Sequence, residues 1–332
     1  MADLTTLRLG GPAGHLVSTR TTDELIAAAG DRSALIVAGG SNLVVADEGF
    51  PGTVVLVRTS GVRVELDTCG GAMVTVAAGE VWDELVVRAV HEGWRGIETL
   101  SGIPGSVGAT PIQNVGAYGQ EVADTIASVR CWDRTERVVR TFAGADCGFS
   151  YRSSRFKREP GRYVVLEVTF QFRLGDRSAP IGYAELARSL DVAPGETAPT
   201  ADVRDAVLAL RRSKGMVLDP SDHDTWSTGS FFTNPILPSD TLLPPGAPRW
   251  PQPDRTVKTS AAWLIESAGF TKGYAVGRVA LSTKHTLALT NRGGASTAEL
   301  LSLAAEVRRG VRRRFAITLE NEPVLVGCVI PH

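Results

Sequence analysis

The sequence predicts an α+β protein with more than one domain. Three observations carry this: a length of 332 residues, a helix embedded among short strands in the first 60, and a strand-rich stretch beyond them. At this length a folded chain buries roughly three quarters of its unfolded surface, enough for more than one core. Hydrophobic residues at 43% and charged residues at 21% are ordinary for a globular chain and exclude wholesale disorder. Lys plus Arg number 35 against 36 Asp plus Glu, a net charge of −1. The chain therefore lacks the general basic field of a nucleic-acid binder and any acidic tail.

Thr21-Thr22-Asp23-Glu24 is a capping box, residues 25–29 supply a helix body, and Gly30 is its natural stop. Apolar residues 34–38, a Gly39-Gly40-Ser41-Asn42 turn and the β-branched run 53–57 follow. This is βαβ-like material, but the turn is not the Gly-x-Gly-x-x-Gly that opens a dinucleotide-binding helix. Residues 74–78 read as strand, and 81–94 as an amphipathic helix with Trp82, Leu85, Val86, Ala89 and Val90 inward. The stretch 93–119 then holds seven glycines. Strands resume at 128–132 and 163–172, where Val164, Leu166, Val168, Phe170 and Phe172 alternate with other residues.

Residues 193–200 read as a linker, followed by a helix over 202–214 that Gly215 stops. Residues 235–253 contain seven of the 18 prolines, so they form neither helix nor central strand and read as an ordered loop. A strand over 280–290, a helix, and a strand near 323–329 close the chain. Leu300, Ala304, Val307, Val311 and Phe315 form the apolar stripe of that helix, and Arg308, Arg309, Arg312, Arg313 and Arg314 its solvated face.

The opening residues lack a basic stretch followed by an apolar run, so a cytoplasmic location is expected. No run approaches the ~18 consecutive apolar residues of a membrane helix. Cys69, Cys131, Cys147 and Cys328 are too few and too scattered for a disulfide scaffold, and read as buried free thiols. The five histidines never fall at metal-ligand spacing, so no metal is expected.

Four segments could carry chemistry. Gly102-Ile103-Pro104-Gly105-Ser106-Val107-Gly108, continuing through Gln113-Asn114-Val115-Gly116-Ala117-Tyr118-Gly119, could bring backbone N–H groups against a pyrophosphate. Its aliphatic residues suit a flat heterocycle, although ordinary loops are also glycine-rich. Tyr151-Arg152-Ser153-Ser154-Arg155-Phe156-Lys157 could hold a carboxylate or phosphate through a guanidinium fork, or be a solvated loop. Gly229-Ser230-Phe231-Phe232-Thr233-Asn234-Pro235 offers a hydroxyl beside paired aromatics, or a turn into a buried strand. Leu319-Glu320-Asn321-Glu322 puts two carboxylates on one face at strand spacing, and bare spacing does not choose between them.

Taken with Ala38-Gly39-Gly40-Ser41-Asn42-Leu43, these segments resemble the UDP-N-acetylenolpyruvylglucosamine reductases in order and across nearly the whole chain. The resemblance implies an FAD-linked oxidase (PCMH-like) architecture: an FAD-binding part of two α/β-type lobes plus a C-terminal α+β substrate-binding domain. The implied boundaries are 1–60 for the N-terminal lobe, joined by a C-terminal strand in 320–332, 61–200 for the second lobe and 205–319 for the substrate domain. FAD is the implied cofactor and NADPH its reductant. The implied partner is a UDP-sugar, met by a monomeric chain with no nucleic acid and no membrane insertion.

Carried over by motif, the implied FAD-binding residues are Gly39, Gly40, Ser41, Asn42, Leu43, Gly102, Ile103, Pro104, Gly105, Ser106, Gly108, Ala109, Thr110, Ile112, Gln113, Asn114, Gly116, Ala117 and Tyr118. Arg152 and Glu322 match the positions at the substrate carboxylate and Ser230 the proton donor. Tyr183, Lys214 and Asn234 match substrate-binding positions, and Trp250 stands where some members place a Tyr over the diphosphate. Thr233 occupies a place where Lys is frequent. The reaction explains these types. Hydride delivery to the β-carbon of an unsaturated carboxylate builds negative charge that a guanidinium stabilises more in the transition state than before it. Glu322 must then hold or share a proton to help, and burial beside another carboxylate raises its pKa in that direction. Two other readings fit the glycine loops: a flavin oxidoreductase of the same architecture acting on a different small substrate, and a non-catalytic nucleotide-binding protein.

Overall fold

In the computed structural model, residues 1–67 and 71–332 are described; Cys69 lies outside the described residues. The chain forms two units. One comprises Ala13–Gly39 and Pro51–Arg212, the other Met1–Pro12, Gly40–Phe50 and Ser213–His332. Residues 1–60 contribute to both units. The physical reason is pairing: strand Leu43–Val45 runs parallel to Val324–Val326, and Leu7, Leu9 and Val44 are buried in the core of the C-terminal helix.

The unit holding residues 51–212 is organised by strand Tyr163–Leu174, central in an antiparallel sheet with Ile126–Asp133 on one side and Gly71–Ala77 on the other. Val164, Leu166, Val168, Phe170 and Phe172 are all buried, as their alternation predicts. Val165 is buried as well, so both faces of the strand's first half are covered. Trp82, Leu85, Val86 and Ala89 bury one face of helix Trp82–His91 on this sheet. Two details of the expected helix change. Val90 is only half-buried, and the helix stops at His91 because Gly93 turns at φ +68°. Trp94 then joins a short strand paired with Leu174 and stacks on Phe172 at 5.9 Å. In a smaller sheet of the same unit, Phe50–Val57 is the central strand, between Ala13–Thr19 and Leu35–Val37. The capping box on helix Thr22–Ala28 is made in both directions.

In the other unit, helix Thr297–Phe315 buries Leu300, Ala304, Val307 and Val311, with Phe315 half-buried. The strand expected over 280–290 is instead two strands, Val279–Leu281 and Leu289–Asn291, paired as a hairpin. The chain reverses because the Ser282 hydroxyl accepts the N–H groups of Lys284 and His285, which no β-ladder then uses. The proline-rich stretch holds strands Ile236–Pro238 and Trp250–Pro251, both edges of a three-stranded sheet whose centre, Thr256–Lys258, has no proline. Edge positions are where a residue without an N–H is tolerated. Among the described residues no helix is long and apolar enough to cross a membrane, and no cluster of metal-ligating side chains occurs.

Candidate active site

The glycine-rich segment folds onto the start of helix Trp82–His91. Trp82 N–H donates to Gly105 O at 3.1 Å, Val107 N–H to Glu80 O at 2.9 Å and Gly108 N–H to Ala78 O at 2.9 Å. Gly102 and Gly105 have φ of +69° and +129°, conformations that glycine adopts without strain. A Cβ on Gly39 would stand 2.6 Å from Gly105 Cα, so these two turns touch backbone to backbone. Ser106 is 5% exposed, and its hydroxyl has no hydrogen-bond partner. A buried hydroxyl without a partner costs free energy unless a ligand meets it. Close-approaching glycine backbone beside such a hydroxyl suits a phosphate-bearing cofactor. Gly40 differs: a Cβ there would lie 1.7 Å from Leu4 O, so packing alone demands glycine.

Beyond this turn, Gly116–Ala117 and Gln120–Glu121 form a hairpin around Tyr118 and Gly119, at φ of +49° and +92°. Side chains bolt it down. The Thr99 hydroxyl donates to Ala117 O at 2.9 Å, and Gln120 Nε2 donates to Glu98, which is 1% exposed. Asn114 donates from Nδ2 to Glu121 Oε2 at 2.6 Å and Ser150 O at 3.2 Å, and accepts Ala123 N–H at 3.2 Å. Its side chain is thus spent on holding the loop.

Arg152 sits in a two-residue turn closed by reciprocal Ser150–Ser153 backbone bonds of 3.0 Å, at φ +52°. That is an uncommon conformation for a side-chain-bearing residue. Its Nη2 donates to Gly116 O at 2.8 Å, and Ser154 Oγ donates to Ile112 O at 2.5 Å. The Arg152 turn and the glycine hairpin are therefore one assembly. Tyr118 meets Tyr183 edge to face at 5.3 Å. Burial, then the Glu185 charge, raises the Tyr183 phenol above its usual range.

In the other unit the remaining motifs converge through main chain. Glu322 N–H donates to Phe231 O at 2.9 Å, Thr233 N–H to Glu320 O at 3.0 Å, and Phe231 N–H to Leu287 O at 2.7 Å. Val324 N–H donates to Asn42 O at 3.0 Å and Asn42 Nδ2 to Glu322 O at 3.4 Å. Segments 41–43, 230–234 and 320–324 thus lie side by side, with Glu322 bonded in main chain to Phe231, the residue after Ser230. Both are half-buried, reachable from solvent yet held in a fixed frame. Glu320 is exposed, which separates it from Glu322. Asn234 Oδ1 accepts Ala261 N–H at 2.9 Å, which orients the amide and leaves Nδ2 to donate elsewhere. Lys214 is half-buried before Gly215. Trp250 is 43% exposed on an edge strand, across from Lys258.

Two buried or half-buried charges escaped the sequence reading: Asp83 and Arg204, joined as a fork at 2.7 and 2.8 Å. Arg211, only 8% exposed, lies on the same helix seven positions on. The available signal was arginine at helical spacing on the stripe of Val203 and Val207.

A glycine cradle with an unpartnered hydroxyl on this α+β frame suits a phosphate-bearing cofactor, and the matches that follow make the class that of the FAD-binding oxidoreductases. An FAD-binding-domain family model matches residues 16–141. A model for the C-terminal domain of UDP-N-acetylenolpyruvoylglucosamine reductase matches 219–326. The reductase of that name from Cutibacterium acnes is 59% identical, over 99% of this chain and 90% of its own length. That from Thermobifida fusca is 57% identical over 99% and 97%. The crystal structure of the Thermus caldophilus reductase superposes with a TM-score of 0.66 at 25% identity, covering 98% of this chain and 96% of its own. The chain belongs to the UDP-N-acetylenolpyruvoylglucosamine reductase family.

Proposed function

We propose that this chain reduces UDP-N-acetylenolpyruvylglucosamine to UDP-N-acetylmuramate with NADPH, a step of peptidoglycan precursor synthesis, as a cytoplasmic monomer. What supports this reading is the main-chain bond from Glu322 N–H to Phe231 O, which joins Glu322 to the residue that follows Ser230. The glycine cradle with Ser106, Gly39 and Gly105 fits FAD and would hold it. When bound, FAD reduced by NADPH supplies the hydride that reaches the enolpyruvyl β-carbon. Ser230 Oγ–H gives the proton that the α-carbon takes. A serine is a weak acid, but a carbanion is base enough to draw its proton, and a positioned donor contributes typically 10²–10⁴-fold. Arg152 meets the negative charge that spreads into the substrate carboxylate. Glu322 helps there as a protonated carboxyl that donates; ionised, it would repel. Tyr183, Lys214, Asn234 and Trp250 hold the nucleotide sugar, with Lys214 as a point charge for the diphosphate. Residues 1–60 with strand 320–332, and 61–200, serve the cofactor, and 205–319 the substrate.

The test is direct. Purified protein should carry the visible absorbance of a flavin, lose it on adding NADPH, and regain it only with the enolpyruvyl nucleotide, forming the lactyl ether. A colourless protein that cannot be reconstituted with FAD, or a bleached one that the enolpyruvyl nucleotide leaves reduced, would sink the reading.

A further inference from the structure

We propose that Asp83, locked by Arg204, is a positioning residue that fixes the Gly102-Ile103-Pro104-Gly105 turn in the shape that receives the cofactor. This deepens, and rests on, the reading of that turn as part of the FAD site. Asp83 is the second residue of helix Trp82–His91, where a carboxylate ordinarily serves its own helix's free N–H groups. Here Oδ1 reaches outward and accepts the N–H of Gly102 at 2.6 Å. The preceding residue grips the other end of the turn, Trp82 N–H to Gly105 O at 3.1 Å, while its indole N–H donates to Leu100 O at 3.1 Å. One helical turn therefore clamps both ends of a segment whose two glycines have no conformational preference of their own.

Arg204 gives the clamp its direction. Nη1 donates to Oδ1 at 2.7 Å and Nη2 to Oδ2 at 2.8 Å, and such a fork fixes the plane of the carboxylate. The arginine is anchored by helix Thr200–Ser213, whose Val203 and Val207 are fully buried on either side of it. Burial alone would raise the Asp83 carboxyl, but the bonds from Arg204 and Gly102 and the charges of Arg204 and Arg211 hold it below the usual carboxylate range.

The experiment titrates FAD into apoprotein and compares Asp83→Ala, Asp83→Asn and Arg204→Met with wild type, following flavin fluorescence, the visible circular dichroism of bound flavin, and the melting temperature without FAD. Asn retains an acceptor for Gly102 and loses the ion pair; Ala loses both. The expected result is an FAD Kd raised about tenfold or more in D83A, less than about threefold in D83N, with R204M between. The dichroism should change in D83A and not in D83N. A D83A protein that binds FAD like wild type overturns the proposal. So does a D83N protein weakened as much as D83A, since the ion pair and not the amide contact would then matter. Should D83A not fold, Asp83→Ser, whose hydroxyl is too short to span to Gly102, takes its place under the same limits. Wild type that binds no FAD would defeat the underlying functional reading instead.

Discussion

The two units fix their candidate residues by different means. Around the glycine loops, side chains reach for backbone: Asn114, Ser154, Thr99 and Asp83 each hold a peptide group of a loop. Around Ser230 and Glu322, main chain holds main chain, through the bonds of Phe231, Thr233 and Glu322. A ladder survives loss of a side chain and a bolted loop does not. Substitutions in the ladder should therefore report on chemistry alone, and those in the loops on chemistry mixed with shape.

The largest effect is expected at Ser230. If Ser230 is the proton donor proposed above, Ala removes that proton but no main-chain bond, so NADPH should still bleach the flavin while reoxidation by the enolpyruvyl nucleotide slows by about 10²–10⁴-fold. Stopped-flow traces of the two half-reactions, with a melting curve, separate the cases. A melting temperature that drops by many degrees would break the contrast, and an unchanged reoxidation rate would remove the serine from the reaction.

Arg152 comes next. Its turn is closed by Ser150 and Ser153, but its guanidinium also ties to Gly116 O at 2.8 Å. Arg152→Lys keeps the charge and loses the guanidinium plane, so if Arg152 meets the substrate carboxylate as proposed, turnover should fall about ten- to a hundredfold. Because the Gly116 contact is weakened too, FAD affinity should fall slightly. Steady-state kinetics and an FAD titration read both. If turnover falls and FAD affinity is untouched, the arginine behaves like the ladder residues and the distinction narrows.

Asn114 isolates the bolting itself. It is 1% exposed at φ +48° and serves three partners. Asn114→Ala forfeits those bonds and puts a Cβ-bearing residue without a local hydrogen bond in the left-handed region, for about 2–4 kcal/mol in urea unfolding. Asn114→Gly loses the same bonds without the strain and should be the milder by about 1 kcal/mol. Equal, small losses would show that the loop holds its shape without this side chain.

How much of this was legible beforehand follows the same divide. Periodicity reveals what a buried face demands, so helix Trp82–His91 and strand Tyr163–Leu174 could be read directly, with errors at the ends where Gly93 and Trp94 break the helix. The hairpin Val279–Asn291 was missed because Ser282 reverses the chain with a hydroxyl where no glycine or proline marks the turn. The site motifs stood out as glycine, aromatic and charge clusters, but their spacing left Glu320 and Glu322 equivalent. Both pair in main chain with the 231–233 segment, and it is the exposure of Glu320 against the half-burial of Glu322 that parts them in three dimensions. Asp83 looked like any charge on a helix. Its partner lies 121 positions away, a separation over which no local pattern reports.

The smallest expected effect concerns thiols. Cys131 and Cys147 are fully buried beside the large sheet. Burial pushes the Cys147 thiol up to about 11 and Cys131 further, whereas Cys328 in the other unit is half-buried and raised less. At pH 8, iodoacetamide followed by peptide mass spectrometry should modify Cys328 well before Cys131 or Cys147. The sign of the stability effect follows from linkage. An unfolded thiol loses its proton near about 8.5, so between that pH and about 11 the native chain keeps a proton that the unfolded chain has released. Stability from these groups is complete below about pH 8.5 and declines as pH rises toward the native value. Urea midpoints at pH 8 and pH 10.5 should therefore differ more in wild type than in Cys147→Ala, where one such proton is gone. Equal slopes in the two proteins would mean that the thiol titrates alike folded and unfolded, and that its burial against the sheet is looser than its packing implies.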